Sequence, residues 1–255
     1  MAIHNAATVG PFVPGYAEVP AEETQGWVMH VKKIGLHITH RRKQAAIGRV
    51  LMWGLIFCML LSAIPVGAAS AVVSLPDIEL EDVVRDALDK SDGDITDADM
   101  ATLNELDADD EEISDLSGLE YAVNLRELDL EDNQVSDLSP LANLTNLQDL
   151  DLEDNQVSNL SPLANLTNLQ DLDLEDNQVS DLGPLANLTN LQDLDLEDNQ
   201  VSNISPLVAN SEFGSDDSVE LQYNYLDLTP GSAAMSDIEA LGSRGVEVSY
   251  RPQRQ

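Results

Sequence analysis

The apolar positions in the middle of the chain recur in one frame with a period of 22 residues. Residues 143–164, 165–186 and 187–208 are near-identical copies of this frame, and residues 121–142 form a looser copy. Degenerate copies on both sides extend the repetition to about residues 100–228. Because one copy has too little apolar surface to fold alone, we expect the copies to stack as a solenoid around a continuous core.

Each copy contains an alternating segment followed by a segment with three-residue spacing. Leu128 and Leu130 alternate with polar residues, which predicts a short strand with one buried face. From Leu138 to Leu147 an apolar residue occurs at every third position, a spacing that suits 3₁₀-like or extended turns. A proline, Pro140 in the looser copy, recurs here and prevents a long helix.

The consensus L-x-x-L-x-L-x-x-N-x-V resembles the leucine-rich repeat, specifically the 22-residue class found in bacterial internalin-like surface proteins. The resemblance implies an α/β fold, a right-handed solenoid with a parallel β-sheet on its concave side. The recurrent asparagine predicts a buried ladder, because its side chain can satisfy backbone groups where each strand turns away. The ladder positions are Asn133, Asn155, Asn177, Asn199 and Asn224.

The segment before the repeats predicts a cover for one open end of the stack. Residues 76–90 place apolar side chains on one face of a helix, and Thr96 can cap a second short helix that runs to Leu103. This arrangement resembles the helical N-terminal cap of internalin-like proteins.

The segment after the repeats predicts a second cover, made of a helix and a strand. The Thr-Pro pair at 229–230 predicts a helix to about Leu241, ended by Gly242 and Gly245, and residues 246–250 predict a strand. This resembles the C-terminal cap of the same class. The expected division is an N-terminal extension with a signal peptide or membrane anchor (1–71), an N-terminal cap (72–104), leucine-rich repeats (105–218), and a last partial repeat with the C-terminal cap (219–255).

An export signal is predicted near the N-terminus. Residues 50–66 form an apolar run of 17 residues that follows basic residues and precedes the small residues GAASA. This order is typical of a secretory signal and predicts cleavage after Ala71, or after Ala69 as an alternative. An uncleaved anchor is the competing interpretation, and in that case the membrane is contacted only through this run. Both the cleaved signal and the uncleaved anchor place the rest of the chain outside the cytoplasm, secreted or at the cell surface.

Composition excludes several kinds of chemistry from the repeat region. All four histidines and the single cysteine lie before residue 71, so disulfides, His-based general bases and ordinary zinc sites are excluded after it. Residues 72–255 hold six basic and 44 acidic side chains. Nucleic acid and anionic lipid headgroups are therefore excluded as partners, because they carry the same sign of charge. No cofactor is expected.

The strand positions beside the buried leucines should face the concave surface, where the resembling family usually binds. In four copies all of them are acidic, so we expect three columns of carboxylates with no aromatic or basic member. One interpretation is a face for a basic partner, weakly bound Ca²⁺ or monovalent cations; the other is a solvated surface suited to high salt. The candidate binding residues are Glu127, Asp129, Glu131, Asp149, Asp151, Glu153, Asp171, Asp173, Glu175, Asp193, Asp195 and Glu197.

Two further motifs are weaker. Asp92, Gly93, Ile95 and Asp99 match part of a calcium-binding loop, but leucine and lysine stand at its first two ligand positions, so a plain turn is expected and no metal site. Five N-x-S/T sequons could carry glycans in an exported protein, although the repeat explains their recurrence without modification. The sequon asparagines are Asn143, Asn159, Asn165, Asn187 and Asn203.

Three functions remain open. The favoured one is an extracellular interaction module that binds an unknown protein or cell-surface partner and is not an enzyme. The second is a cation-dependent acidic structural element of the cell envelope. The third is a carboxylate-based hydrolase, which needs one carboxylate pair that differs from its neighbours, and the near-identical copies disfavour such a pair.

Overall fold

The computed structural model describes residues 70–254. The run at 50–66, predicted to be a signal or an anchor, lies outside the described residues. Within the described part of the chain, no helix is both long and apolar enough to cross a membrane.

In the part of the chain that the structure describes, two helices precede the repeats. Helix α1 covers Ile78–Ala87 and helix α2 covers Asp97–Met100. The predicted span of α1 reached residue 90, but the chain leaves the helix earlier because Asp89 adopts a left-handed conformation with φ 54°. The predicted span of α2 reached Leu103, whose N–H instead bonds the carbonyl of residue i−3 in a tightened turn.

Side chains hold this N-terminal segment together. Thr96 forms a capping box at the start of α2, in which its side chain and that of Asp99 each accept a backbone N–H. Asp77 begins α1 and also accepts the backbone N–H groups of Ser114 and Asp115 at 2.9 and 3.0 Å. One carboxylate therefore ties the first helix to the first repeat.

Among residues 70–254, seven short strands form one parallel sheet in sequence order. The 22-residue period brings each leucine back to the same place, so Leu128 pairs with Leu150, and Leu150 with Leu172. The predicted α/β leucine-rich-repeat solenoid with a parallel sheet is confirmed. The strands are β1 Glu105–Asp107, β2 Glu127–Asp129, β3 Asp149–Asp151, β4 Asp171–Asp173, β5 Asp193–Asp195, β6 Ser218–Glu220 and β7 Glu247–Ser249.

Short helices return the chain from one strand to the next. In the regular repeats a proline in the first turn fixes φ for a helical start. Leu141, Leu144 and Leu147 are fully buried, so the three-residue spacing marks the side of these turns that faces the core. The 3₁₀ helices are Leu119–Tyr121, Ser139–Asn143, Ser161–Asn165 and Gly183–Asn187, and helix α3 is Ser205–Ala209.

Helix α4, Ala233–Arg244, follows the last full repeat and leads into β7. It starts later than predicted because Gly231, at φ +86°, keeps the Thr-Pro segment in a turn and leaves Ser232 as the N-cap. It also runs through Gly242, which was expected to end it. Gly245, in the left-handed region at φ +98°, is the residue that ends it.

Candidate acidic binding face

The predicted candidate residues come together on one side of the sheet. Strand register aligns the residues before and after each central leucine, so Asp149 pairs with Asp171 and Asp151 with Asp173. Backbone bonds extend the alignment beyond the strands, since the N–H of Asp132 donates to the carbonyl of Glu153 at 3.0 Å. We call the following twelve residues the acidic face: column 1, Glu127, Asp149, Asp171, Asp193; column 2, Asp129, Asp151, Asp173, Asp195; column 3, Glu131, Glu153, Glu175, Glu197.

The composition of the columns changes at both ends of the sheet. Strand β1 continues them with Glu105 and Asp107, which pair with Glu127 and Asp129. In β6, Ser218 replaces the acidic residue of column 1. The regular part of the acidic face therefore spans β2 to β5.

The aspartate side chains of column 2 accept hydrogen bonds from the backbone N–H groups of column 3. Oδ1 of Asp151 accepts the backbone N–H of Glu153 at 3.0 Å, and the bond recurs from Asp129 to Asp195 in all four rungs at 2.8–3.1 Å. Asp173 is the most enclosed member, at 6% exposure. These bonds fix one carboxylate oxygen in each rung and so give the face a regular geometry.

Burial and mutual repulsion disfavour the charged form of several carboxylates. Burial and, after it, the neighbouring charges of Asp173, Glu175, Glu131 and Asp151 together raise the pKa of Glu153 to about 8. The same causes, burial first, raise the pKa values of Glu175 and Asp195 to about 7. The acidic face therefore concentrates negative charge that the fold itself disfavours.

The spacing of the carboxylates also suits cations. Three successive triplets of carboxylates have oxygens within 4.8 Å of one another. Each triplet contains a column 2 residue, the column 3 residue of the same rung, and the column 2 residue of the next rung. Hard cations such as Ca²⁺ prefer such oxygen ligands. The triplets are Asp129, Glu131, Asp151; Asp151, Glu153, Asp173; and Asp173, Glu175, Asp195.

The ladder asparagines lie at the end of the strands, beside the acidic face. Asn177 is 7% exposed, its Oδ1 accepts the N–H of Val157 at 2.8 Å, and its Nδ2 donates to the carbonyl of Leu152 at 2.7 Å. Each ladder asparagine makes the equivalent pair of bonds to the preceding rung. The ladder therefore fixes the point at which every rung leaves the face.

Sequence reasoning missed two other columns. The residue before each of the first four ladder asparagines, Asp132, Asp154, Asp176 or Asp198, has φ between 51° and 55°. The signal was present in the sequence, because aspartate tolerates the left-handed region better than most residues.

The second missed column lies in the return segments. The Nδ2 groups of Asn146, Asn168 and Asn190 donate to carbonyls of the preceding rung at 2.6–2.8 Å. These asparagines are exposed, so hydrophobic patterning did not reveal them.

The weaker motifs occupy ordinary structural positions. Asp99 of the partial calcium loop accepts from Lys90 at 2.7 Å and from Thr96, and Ile95 is buried. The five sequon asparagines are all exposed, and those at 159 and 203 accept the backbone N–H two residues later.

Comparisons with known proteins agree with the fold. A family model described as leucine rich repeats (2 copies) matches residues 123–165 and 167–209. The internalin InlF from Listeria monocytogenes is 26% identical with a TM-score of 0.54, over 72% of this chain and 59% of that chain. The functional domain of InlJ from the same organism, which includes a cysteine ladder, is 19% identical with a TM-score of 0.50, over 65% and 41%. At that identity the likeness to InlJ shows the fold alone.

A third internalin, InlC2 from L. monocytogenes, is 31% identical over 66% of this chain and 96% of that chain, with a TM-score of 0.35. The chain spans 59% of the length of InlF and 41% of the length of InlJ. No curated protein matches the sequence. The matched repeats, the asparagine ladder and the likeness to InlF show that the chain is an internalin-like leucine-rich-repeat protein.

Proposed function

We propose that this chain is an extracellular protein-interaction module, secreted or held at the cell surface, that binds a basic partner through the acidic face without a catalytic step. The leucine-rich-repeat fold suggests an interaction module. The observation that carries the specific proposal is the alignment of three carboxylate columns on one side of the sheet. The segment at 50–66 supports export.

The electrostatics of the acidic face favour a cationic partner. Its carboxylates repel one another, and burial raises the pKa values of Glu153, Glu175 and Asp195. Lysine or arginine side chains placed against the columns would relieve this repulsion and steer the encounter at long range. They would also lower the raised pKa values, so binding near pH 7 should release protons.

The test compares two variants that remove equal charge. The face variant carries Asp149→Asn, Asp171→Asn and Asp193→Asn in column 1. The control carries Asp115→Asn, Asp137→Asn and Asp181→Asn in the return segments, where other repeats already hold Asn159 and Asn203. Each variant is used to capture proteins from an envelope extract at several salt concentrations.

We expect the face variant to lose the captured partner while the control retains it. Calorimetry with the purified partner in buffers of different ionisation enthalpy should then show proton release. If both variants lost the partner equally, binding would depend on net charge alone. That result would contradict binding through the acidic face. Mass spectrometry of the exported protein tests cleavage after Ala71 or Ala69.

The carboxylate triplets favour a second candidate function, a cation-dependent structural element of the envelope. Three equivalent triplets on adjacent rungs would let cations bridge the rungs and stiffen the solenoid. Titration with Ca²⁺ against Na⁺ at constant ionic strength separates specific binding from screening. A melting temperature that responds to ionic strength alone would exclude this candidate.

A further inference from the structure

The last rung of the solenoid differs from the others in charge. Strand β7 is the edge of the sheet, and no other strand within residues 70–254 pairs with its outer side. Glu247 and Ser249 continue columns 1 and 2 into this rung, and Arg251 follows two residues after Ser249, just beyond the end of the strand. Three of the six basic side chains after residue 71, Arg244, Arg251 and Arg254, lie in this terminal segment. The C-terminal end is therefore the least acidic part of the solenoid.

The backbone of β7 has hydrogen-bonding groups on its outer side that pair with no other strand within residues 70–254. Glu247 donates its N–H to the carbonyl of Asp217 at 2.9 Å, and Ser249 accepts the N–H of Leu221 at 2.7 Å, so both residues bond inward. Because backbone groups alternate in direction along a strand, those of Val248 and Tyr250 point outward. The carbonyl of Tyr250 accepts the Gln253 side chain and keeps a second lone pair. Such an edge is a template for another strand.

The side chains of the same two residues are incompletely covered. Val248 and Tyr250 are half-buried against the core. Val219 and Leu221, in the adjacent rung, are both 0% exposed. A strand added outside β7 would cover the apolar part of both terminal side chains.

We propose that β7 pairs antiparallel with β7 of a second copy of this chain, with Ser249 opposite Ser249 of the second copy. This register places Val248 opposite Tyr250 of the second copy, so the outward backbone groups meet as hydrogen-bonded pairs. It also places Glu247 opposite Arg251 of the second copy, twice by symmetry. The contact is isologous and closes as a two-fold dimer.

The sequence of the strand selects both the partner and the register. Glu247 lies two residues before Ser249 and Arg251 two residues after it. The segment therefore carries opposite charges at symmetric positions, and a second copy in antiparallel orientation is complementary to it. If the two-fold axis passed through Val248, Arg251 would lie opposite Gly245 of the second copy. If it passed through Tyr250, Arg251 would lie opposite Ser249 of the second copy. Either shift separates Glu247 from Arg251, so the Ser249-centred register alone pairs these charges.

Salt should strengthen the dimer. Residues 72–255 carry 44 acidic and six basic side chains, so two copies repel at long range. At about 1 M salt the Debye length falls to about 3 Å, and this repulsion is largely screened. Sedimentation equilibrium of the full chain from about 0.15 to 1 M NaCl should therefore show a monomer that becomes a dimer.

Charge reversals test the register at the lowest salt at which the unaltered chain dimerises. Glu247→Arg and Arg251→Glu should each weaken the dimer by about tenfold or more, because like charges then face each other. The double variant Glu247→Arg/Arg251→Glu should restore the dissociation constant to within about threefold. Arg126→Glu, a reversal at an exposed residue outside the edge, is the control and should change it little.

A backbone variant tests the edge independently of charge. Val248→Pro removes an outward N–H and keeps the inward bonds of Glu247 and Ser249, so the chain should stay folded by circular dichroism and become monomeric. Three results would overturn the proposal: a monomer at every salt concentration, a dimer that neither the reversals nor Val248→Pro weaken, or a double variant that does not rescue the single ones. A monomer that binds an unrelated extended peptide at this edge would also overturn it.

Discussion

Asn155 bonds to Val135 across one full turn of the solenoid. Oδ1 of Asn155 accepts the backbone N–H of Val135, 20 residues earlier, at 2.8 Å, and Nδ2 donates to the carbonyl of Leu130 at 2.7 Å. Both bonds are buried, so one amide satisfies a donor and an acceptor of the preceding rung that water does not reach.

Replacing this amide should therefore destabilise the fold. We expect Asn155→Ala to lower the free energy of unfolding by about 1–3 kcal/mol, because buried backbone groups lose their partners. The neighbouring Gln156 is exposed, and Gln156→Ala should be nearly neutral. Denaturant melts of the two variants compare these effects, and equal destabilisation would contradict the structural role of the ladder.

Two substitutions of Asp154, the residue before the ladder asparagine Asn155, should change the melting temperature in opposite directions. Asp154 has φ 52°, and burial, followed by the charges of Asp176 and Asp132, raises its pKa. Asp154→Asn should raise the melting temperature, because asparagine keeps the left-handed conformation and removes the repulsion. Asp154→Val should lower it, because a β-branched residue is strained at positive φ. A stabilising valine would show that backbone conformation does not govern this position.

The raised pKa values predict a pH dependence of stability. In the folded chain the pKa of Glu153 is about 8 and those of Glu175 and Asp195 are about 7, whereas unfolded carboxyls titrate at about 4. Between about pH 4.5 and 8 the folded state holds more protons than the unfolded state, so the free energy of unfolding should fall as the pH rises.

Urea melts across that pH range provide the measurement, and a variant identifies the group. Glu153→Gln keeps the shape of the side chain and removes its titration, so it should flatten the upper part of the pH profile. Gln156→Glu, at an exposed position beside the ladder, is a control that should leave the slope unchanged. A profile for Glu153→Gln with the original slope would mean that repulsion at this rung contributes little.

Salt should stabilise the protein through the columns of the acidic face. Parallel strands lie about 4.8 Å apart, and two like charges about 5 Å apart repel by about 0.8 kcal/mol at the dielectric constant of water and about 3 kcal/mol at an effective value of 20. We expect the melting temperature to rise steeply with NaCl. The rise should flatten in a variant with Asp151→Asn, Asp195→Asn, Glu153→Gln and Glu197→Gln. The three return-segment substitutions described above serve as the control, and a melting temperature independent of salt would contradict the prediction.

The regular part of the fold was predictable because one period determines many contacts at once. Leu128 and Leu150 share a place in the frame, so the period alone predicts that they pair in the sheet. The ends were less predictable because no repetition constrains them. The start of α4 depends on the backbone conformation of Gly231, which hydrophobic patterning does not reveal.

The acidic face was predictable as a set of residues but not in its electrostatics. Alternation places Asp173 and Asp193 on one side of the sheet. It does not indicate that Asp173 is 6% exposed, or that burial raises the pKa of Asp195 to about 7. Those properties depend on how closely the neighbouring rungs pack, and the sequence pattern contains no measure of that distance.

The near-identity of successive rungs has a consequence for how the gene can change. Residues 143–164, 165–186 and 187–208 present almost the same surface to the rung before and the rung after. Unequal recombination that removes or duplicates one 22-residue unit would therefore rejoin matching surfaces, with every leucine and ladder bond remade. A chain with one unit more or fewer would therefore need no compensating substitution, and the length of the solenoid would change in steps of one rung.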